Sequence, residues 1–400
     1  MSRLDELITE LCPDGVEYKL IGDVCDFING FAFKSSKFQG YGEPILRISN
    51  IQDKKIDTSN LVYFNLDDYT EDLSKYIVNK GDIVVAMSGA TTGKIGVNDT
   101  DSIYYLNQRV GKFVPNEKII LNRFLYHILT SKTQLIYQIS GGGAQPNLSS
   151  EKLKQIKIPL PPLPVQQEIV RILDNFTELT AELTAELTAR RKQYEYYRDL
   201  LLTFGNNPDI KWMTLGEIGP VCMCKRIMKA ETSPVGDVPF FKIGTFGKEP
   251  DAFISQEKYD EYRKAFSFPK KGDILISAAG TIGRTVIYDG KPAYYQDSNI
   301  VWIDNDESKV LNKYLYYCYA MKPWSVSTGG TIARLYNDNI LKAKIPVPPL
   351  DEQERIVAIL DRFDALCNDL TSGIPAEIEA RQKQYEYYRD KLLSFKEVTA

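Results

Sequence analysis

The chain has 400 residues, 43% hydrophobic and 26% charged, the composition of a folded protein too long for one ordinary core. No apolar run reaches the length of a membrane span, and the acidic, amphipathic start MSRLDELITELCPDG has no apolar core of a secretory signal. A net charge of −4, six scattered cysteines and a single histidine, His127, argue against a disulfide framework, paired CxxC zinc sites and most His-dependent catalysis, and fit a reducing cytoplasm.

In chain order, short β-rich runs come first: GDIVVAM from Gly81, then IGVND, separated by Gly, Asp and Asn turn signals. A helix is expected from Leu121, and His127 on it reads as a structural or surface residue. The string IPLPPLPVQQEIVRILDNF from Ile158 stops a strand at Pro161 and Pro162 and places Pro164 in a first helical turn. Apolar residues then follow at steps of three and four: Ile169, Leu173, Phe176, Leu179, Leu183, Leu187, Tyr194, Tyr197, Leu201 and Phe204. This stripe predicts one helix of roughly 36 residues, about 54 Å long. Later, DILISAA and RTVIYDG read as strands and Leu311 opens another helix. A second apolar stripe runs from Ile356 through Phe363, Leu366 and Leu370 to Ile378, Tyr385, Tyr388 and Leu392. Gly373 and Pro375 lie within it and should break the helix.

The chain is a duplication. KQYEYYRD occurs at Lys192–Asp199 and again, unchanged, at Lys383–Asp390. IPLPPLPVQQEIVRILDNF pairs with IPVPPLDEQERIVAILDRF from Ile345, GGAQPNL with GGTIARL, and KGDIVVAMSGATTGKIG with KGDILISAAGTIGRTV. The four landmarks recur in the same order, while the stretches between them diverge. The fold expected is α+β (mixed α/β), with an internal pseudo-two-fold. Two globular modules, 1–155 and 206–342, are joined by two long antiparallel helices in 156–205 and 343–400 that form a coiled-coil spacer, because a lone striped helix would leave its apolar face in water.

Catalytic patterns fail in turn. Gly89–Lys94 lacks the spacing of a phosphate loop, and Ile95 stands where that motif needs Ser or Thr. Pro13-Asp14 with Glu17 and Lys19 is too compact for a nuclease signature. Cys222 and Cys224 lack two further ligands, and the prolines of LPPL and VPPL lack the Asn or Asp of a methyltransferase motif. No constellation for chemistry assembles. The two Pro-started helical regions are acidic, so the remainder is slightly basic and allows a DNA-facing surface.

Two variable modules, each followed by IP-x-PPL-x-x-Q-x-x-I-V-x-I-L-D and a helix ending KQYEYYRD-x-LL-x-F, resemble the specificity subunit of a Type I restriction–modification enzyme. The tandem TAEL at Thr180–Leu187 further resembles the subgroup with repeats in its central helix. The resemblance implies that each module is a target recognition domain reading one half of an asymmetric bipartite site in double-stranded DNA. It also implies that the helices set the spacing and dock two modification subunits, which methylate adenine, and with them restriction subunits. The chain itself would be a non-catalytic, cytoplasmic DNA-recognition subunit with no metal and no cofactor of its own. S-adenosylmethionine, ATP and Mg²⁺ would reside on the partners. A free-standing bipartite DNA-binding regulator is the alternative reading.

Candidate DNA contacts lie in loops rich in amide, hydroxyl and basic groups. In the first module they are Lys34, Ser35, Lys37, Arg47, Asn50, Thr91, Thr92, Lys94, Asn107, Gln108 and Arg109. In the second they are Lys225, Arg226, Lys229, Lys242, Thr281, Arg284, Gln296, Asn299 and Arg334. The repeated Gly/Thr/basic turn ending at Lys94 or Arg284 is the leading pair, expected to hold phosphates. Leu179, Leu183, Leu187, Leu366 and Leu370 are expected in the spacer seam. Tyr194, Tyr197, Tyr385 and Tyr388 are expected to serve packing and partner docking.

Overall fold

The computed structural model describes residues 2–52, 54–141, 146–205, 207–208, 210–326 and 333–398. The first four residues of GGAQPNL and of GGTIARL lie outside these. The first module contains strands β1 (Glu17–Leu20), β2 (Cys25–Asn29), β3 (Glu43–Leu46), β4 (Ile83–Ala86), β5 (Ile95–Val97), β6 (Tyr104–Leu106) and β7 (Val110–Pro115). Among its further elements are helix α1 (Asn122–Ser131) and strand β8 (Lys157–Leu160), and α2 (Leu163–Leu202) follows. The second module contains β9 (Lys211–Thr214), β10 (Val221–Cys222), β11 (Val238–Phe241), β12 (Ile274–Ser277), β13 (Thr285–Ile287), β14 (Tyr294–Tyr295) and β15 (Ile300–Ile303). Helix α3 (Asn312–Ala320) and β16 (Lys344–Val347) close it, before α4 (Leu350–Asn368) and α5 (Ile374–Leu392).

Both modules share a core topology, although the second sheet has four strands in the first module and three in the second. The first has a sheet ordered β2-β7-β4-β5, and the second has β10-β15-β12-β13. A parallel pair, β3 with β6 or β11 with β14, anchors a second sheet in each. A closing pair, β1 with β8 or β9 with β16, ties each module's start to the strand before its long helix. Strands β4 and β12 are buried along their whole length, as their unbroken apolar runs require. On them packs the following helix, through Phe124, Leu125 and Ile128 in α1 and through Tyr314, Leu315 and Cys318 in α3.

The chain forms two compact units, Met1–Thr184 with Glu377–Ala400, and Ala185–Ala376. Each therefore joins a module to its own Pro-started helix and to the tyrosine-rich tail of the other repeat. Unit 1 buries Val165, Ile169 and Leu173 of α2 together with Tyr385 of α5 and Leu393 just beyond it. Unit 2 buries Ile356 and Leu360 of α4 and packs Tyr194, Leu201 and Leu202 of α2 on them. The segments 156–205 and 343–400 expected as spacers are each divided between the units.

Within unit 2, Arg191 Nη2 donates to Cys367 O (3.5 Å), while Tyr197 stacks on Phe363 at 5.6 Å. Ascending numbers on α2 thus meet descending numbers on α4, an antiparallel pair. Within unit 1 the corresponding stack is Phe176 on Tyr388, at 5.4 Å.

The second stripe breaks where Gly373 and Pro375 predict. A Cβ on Gly373 would lie 2.6 Å from Ala365 O and 2.7 Å from Asp369 O, so only glycine lets the chain turn there. Asp369 caps the turn, accepting from the N–H of Thr371 (2.7 Å) and from Ser372 N (3.3 Å). The break corrects one spacer position: Leu370 lies in the turn, 74% exposed, outside both helices. Leu179 and Leu366 are also exposed, while Leu183 and Leu187 are half-buried.

Candidate nucleic-acid interface

Three loops meet at the same end of each module, and a set of their backbone bonds recurs in both. After β4, Gly93 N–H donates to Ala86 O (2.9 Å), Lys94 N–H to Thr91 O (3.0 Å) and Ala86 N–H to Lys94 O (3.1 Å). After β12, Gly283 N–H donates to Ser277 O (2.9 Å), Arg284 N–H to Thr281 O (3.2 Å) and Ser277 N–H to Arg284 O (2.9 Å). Gly89, Gly93, Gly280 and Gly283 all have φ between 64° and 81°, a conformation that favours glycine.

The second loop follows β3 or β11 and is a repeat the sequence did not reveal. Arg47-Ile-Ser-Asn50 matches Lys242-Ile-Gly-Thr245. Arg47 N–H donates to Asn50 Oδ1 (3.0 Å), and Lys242 N–H donates to Thr245 Oγ1 (3.1 Å). The two loops press together: a Cβ on Gly89 would lie 3.0 Å from Ile48, and one on Gly280 would lie 3.4 Å from Ile243. The third loop joins the parallel pair to the next strand. Asn107 N–H donates to Leu46 O and Gln296 N–H to Phe241 O, both at 3.0 Å. Met87 N–H donates to Arg109 O (2.9 Å), and Ala278 N–H donates to Asn299 O (2.8 Å).

Side chains sort the candidate residues. In the first module Asn50 is buried and donates to Asp57 O (3.0 Å), which holds its own loop closed. Thr91 Oγ1 donates to Ile48 O (2.8 Å), and buried Thr92 donates to Gly89 O (2.7 Å) and Pro146 O (3.3 Å). These three side chains face inward, because a turn so tight needs every local acceptor satisfied. Their printed hydrogen bonds all go to backbone acceptors of the module itself. Arg47 Nη2 donates to Asn60 O (3.0 Å) and Lys94 Nζ to Gln52 Oε1 (3.3 Å). Arg109 Nη1 donates to Ser88 Oγ (3.1 Å), and Lys37 sits over the Tyr69 ring (4.7 Å). Lys34, Ser35 and Gln108 are exposed and Asn107 is half-buried.

In the second module Lys225 lies over Phe266 (4.9 Å), Arg226 pairs with Asp297 (2.8 Å) and Lys242 with Asp251 (2.8 Å). Arg284 Nη1 donates to Phe246 O and Arg334 Nη2 to Ser298 O, each at 2.8 Å. Lys229 and Thr281 are exposed, while Gln296 and Asn299 are half-buried. Lys34, Ser35, Lys37, Lys225, Arg226 and Lys229 belong to the strand-exit loops 30–42 and 223–237, outside the three-loop cluster.

His127 is buried in unit 1, where Nδ1 lies 3.0 Å from Tyr385 Oη and Nε2 2.9 Å from Asp174 Oδ1. Burial lowers its pKa. Burial opposes ionisation of Asp174, but hydrogen bonds from His127 and Arg123 outweigh it and hold that carboxyl at about 2. Unit 2 places Tyr317 and Asp361 in the same relation, with Lys313 3.2 Å from Asp361. Tyr385 belongs to the unit 1 group and Tyr194 packs on the unit 2 core, the packing part of the role expected of them. Tyr196 and Tyr387 of the same repeated string, unremarked in the sequence, are 64% and 63% exposed.

Among the described residues no helix is long and apolar enough to cross a membrane, and no group of three His, Cys, Asp or Glu could hold a metal.

Residues 13–190 and 207–380 each match the family described as Type I restriction modification DNA specificity domain. A Haemophilus influenzae chain named as a type I restriction enzyme specificity subunit is 48% identical over 399 residues, covering 95% of this chain and 96% of that one. The Escherichia coli EcoR124I/EcoR124II specificity subunit is 38% identical over 267 residues, 62% of this chain and 65% of that one. A chain solved in work on assembly and conformational transition of the type I R-M system aligns with a TM-score of 0.58 at 20% identity, over 96% of this chain and 98% of that one. The Type I S subunit of M. genitalium gives 0.53 at 16% identity, over the same shares. With a match to each of its repeated halves, this chain belongs to the Type I restriction–modification specificity subunits and carries two target recognition domains.

Proposed function

We propose that this chain is the non-catalytic, cytoplasmic reader of a Type I complex, in which each module contacts one half of an asymmetric bipartite DNA site. The observation that carries the reading is the pair of three-loop clusters. Their backbone bonds repeat while their outward side chains differ, as expected of one frame presenting two sets of base-edge contacts. The basic ends of Lys94 and Arg284 fix phosphate register, and the amide and hydroxyl groups beside them supply discrimination.

The repeated tails dock two copies of one partner, the modification subunit. Tyr196 and Tyr387 are the exposed tyrosines of an octapeptide kept unchanged in both repeats, and Tyr197 and Tyr388 beside them are more than a third exposed. Adenine methylation with S-adenosylmethionine, and the ATP- and Mg²⁺-dependent steps of restriction, belong to the partner subunits. The test is co-purification with the cognate modification subunit, followed by mapping of methylated adenines. The reading requires two modification subunits per chain and two unlike half-sites. Equally tight, equally specific DNA binding without any modification subunit would instead favour a free-standing regulator.

A further inference from the structure

The second module contains an open cavity of about 450 Å³ beside its three-loop cluster. Its floor is apolar, formed by Ile227, Phe240 and Ala252, all nearly buried. Its rim carries exposed Lys229 together with Lys242, Asp251 and Gln296. Lys242 Nζ lies 2.8 Å from Asp251 Oδ1, so the ammonium is neutralised within the rim.

Gln296 differs from its neighbours. Its Oε1 accepts the N–H of Ile243 (2.9 Å), which fixes the amide plane. Its Nε2 then offers two N–H donors that have no protein partner among the described residues. The position is equivalent to Asn107 of the first module, by the shared backbone bond to the end of the preceding parallel strand. Two modules that diverge over most of their surface thus keep an amide side chain at one place, next to a basic residue, Arg47 or Lys242. The exit loops also correspond, since Phe38 N–H donates to Ser35 O and Thr232 N–H to Lys229 O, both at 3.2 Å. Threonine on this cavity's wall therefore replaces the Phe38 of the first module.

We propose that Gln296 is a base-reading residue: the cavity seats the major-groove edge of one purine, with Nε2–H donating to its N7. The second lone pair of Oε1 remains open to the N6 amino group of an adenine. The proposal rests on the DNA-specificity reading above and names the reading group of its second half-site.

The test compares the assembled methyltransferase containing wild-type chain with one containing Gln296→Glu. Glutamate keeps the acceptor for Ile243 N–H and loses both donors. Methylation at the wild-type sites should fall at least about tenfold, with a changed base preference at a single position of one half-site and the other half-site intact. A uniform loss without a change of preference, or no change at all, overturns the proposal. If Gln296→Glu melts early, Gln296→Met, of similar length without donors, must give the same single-position relaxation or the proposal falls. Should the wild-type complex itself show no bipartite site, the specificity reading fails, a result distinguishable from failure at Gln296 alone.

Discussion

Gln166 and Gln353 join each module to its long helix. Both are fully buried, and each amide meets three backbone groups. Gln166 Oε1 accepts from Leu121 N–H (2.9 Å), and its Nε2 donates to Ile119 O (3.0 Å) and Pro161 O (2.8 Å). Gln353 repeats the set with Leu311 N–H (2.9 Å), Lys309 O (2.9 Å) and Pro348 O (2.8 Å). Such groups stabilise only while every partner is present, and an orphaned one costs about 1–3 kcal/mol. His127 gives the residue scale its pH dependence. Burial holds it neutral in the native state, whereas the unfolded chain takes a proton near pH 6.5. Its folded pKa is depressed, so its contribution is complete above about pH 6.5 and declines as pH falls below it, by up to about 1.4 kcal/mol per unit. Asp174 acts lower, its contribution present above about pH 4 and lost as pH falls towards 2. Because the chain has one histidine, His127→Gln should flatten the urea-unfolding stability between pH 7 and 5. An unchanged slope in that window would assign it to other groups. The sequence exposed the Gly/Thr/basic turns as a repeat but not the direction of their hydroxyls. Thr92 and Asn50 have the chemistry of DNA contacts, and only the tightness of the turns commits them to backbone acceptors. The Arg47 and Lys242 loops escaped notice because just the basic residue and one isoleucine are shared, the acceptor being Asn in one and Thr in the other.

At the scale of elements, α2 is an unbroken helix of 40 residues, while its counterpart is split into α4 and α5 of 19 residues each. Both features were legible, the first from the apolar stripe and Ala/Leu/Glu-rich composition, the second from Gly373 and Pro375. The exchange of tails between units was not legible: identical strings reveal two equivalent surfaces but not which module each one packs against. The boundary between the units at Thr184 and Ala185 falls inside the tandem TAEL. There the helix is held by its own propensity and by local bonds such as Thr184 Oγ1 donating to Thr180 O (2.8 Å). Removing Thr184–Leu187 should therefore shorten α2 without melting it, by about 6 Å and with about 40° of rotation beyond one full turn. One DNA base pair contributes about 3.4 Å and about 35°. The rotation matches one base pair and the rise overshoots it, a mismatch the DNA can absorb by bending for a few kcal/mol, about the cost of modest deformation. Methylation mapping of the deletion should return both half-sites with a spacer one base pair shorter. An unchanged spacer would remove the helix from spacing, and altered bases would mean that it shapes the modules themselves.

As a whole molecule, the chain presents one frame twice, with the repeated bonds placed where they hold loops rather than where they meet a ligand. Two modest readers on one chain gain from effective concentration, since binding by one raises the local concentration of DNA at the other. A target with unlike halves follows from unlike loops: Asn107, Gln108 and Arg109 in one module stand where Gln296, Asp297 and Asn299 surround the third loop of the other. The two units have separate cores, each closed by its own strand pair, so the modules should read DNA independently. The most direct test replaces roughly residues 15–150 with the corresponding module of another specificity subunit, leaving α2 and everything after it in place. Methylated adenines are then mapped in DNA exposed to the assembled complex. One half of the target should take a new sequence, with the other half and the spacer length retained. Both halves changing together, or neither changing, would contradict independent reading by the modules.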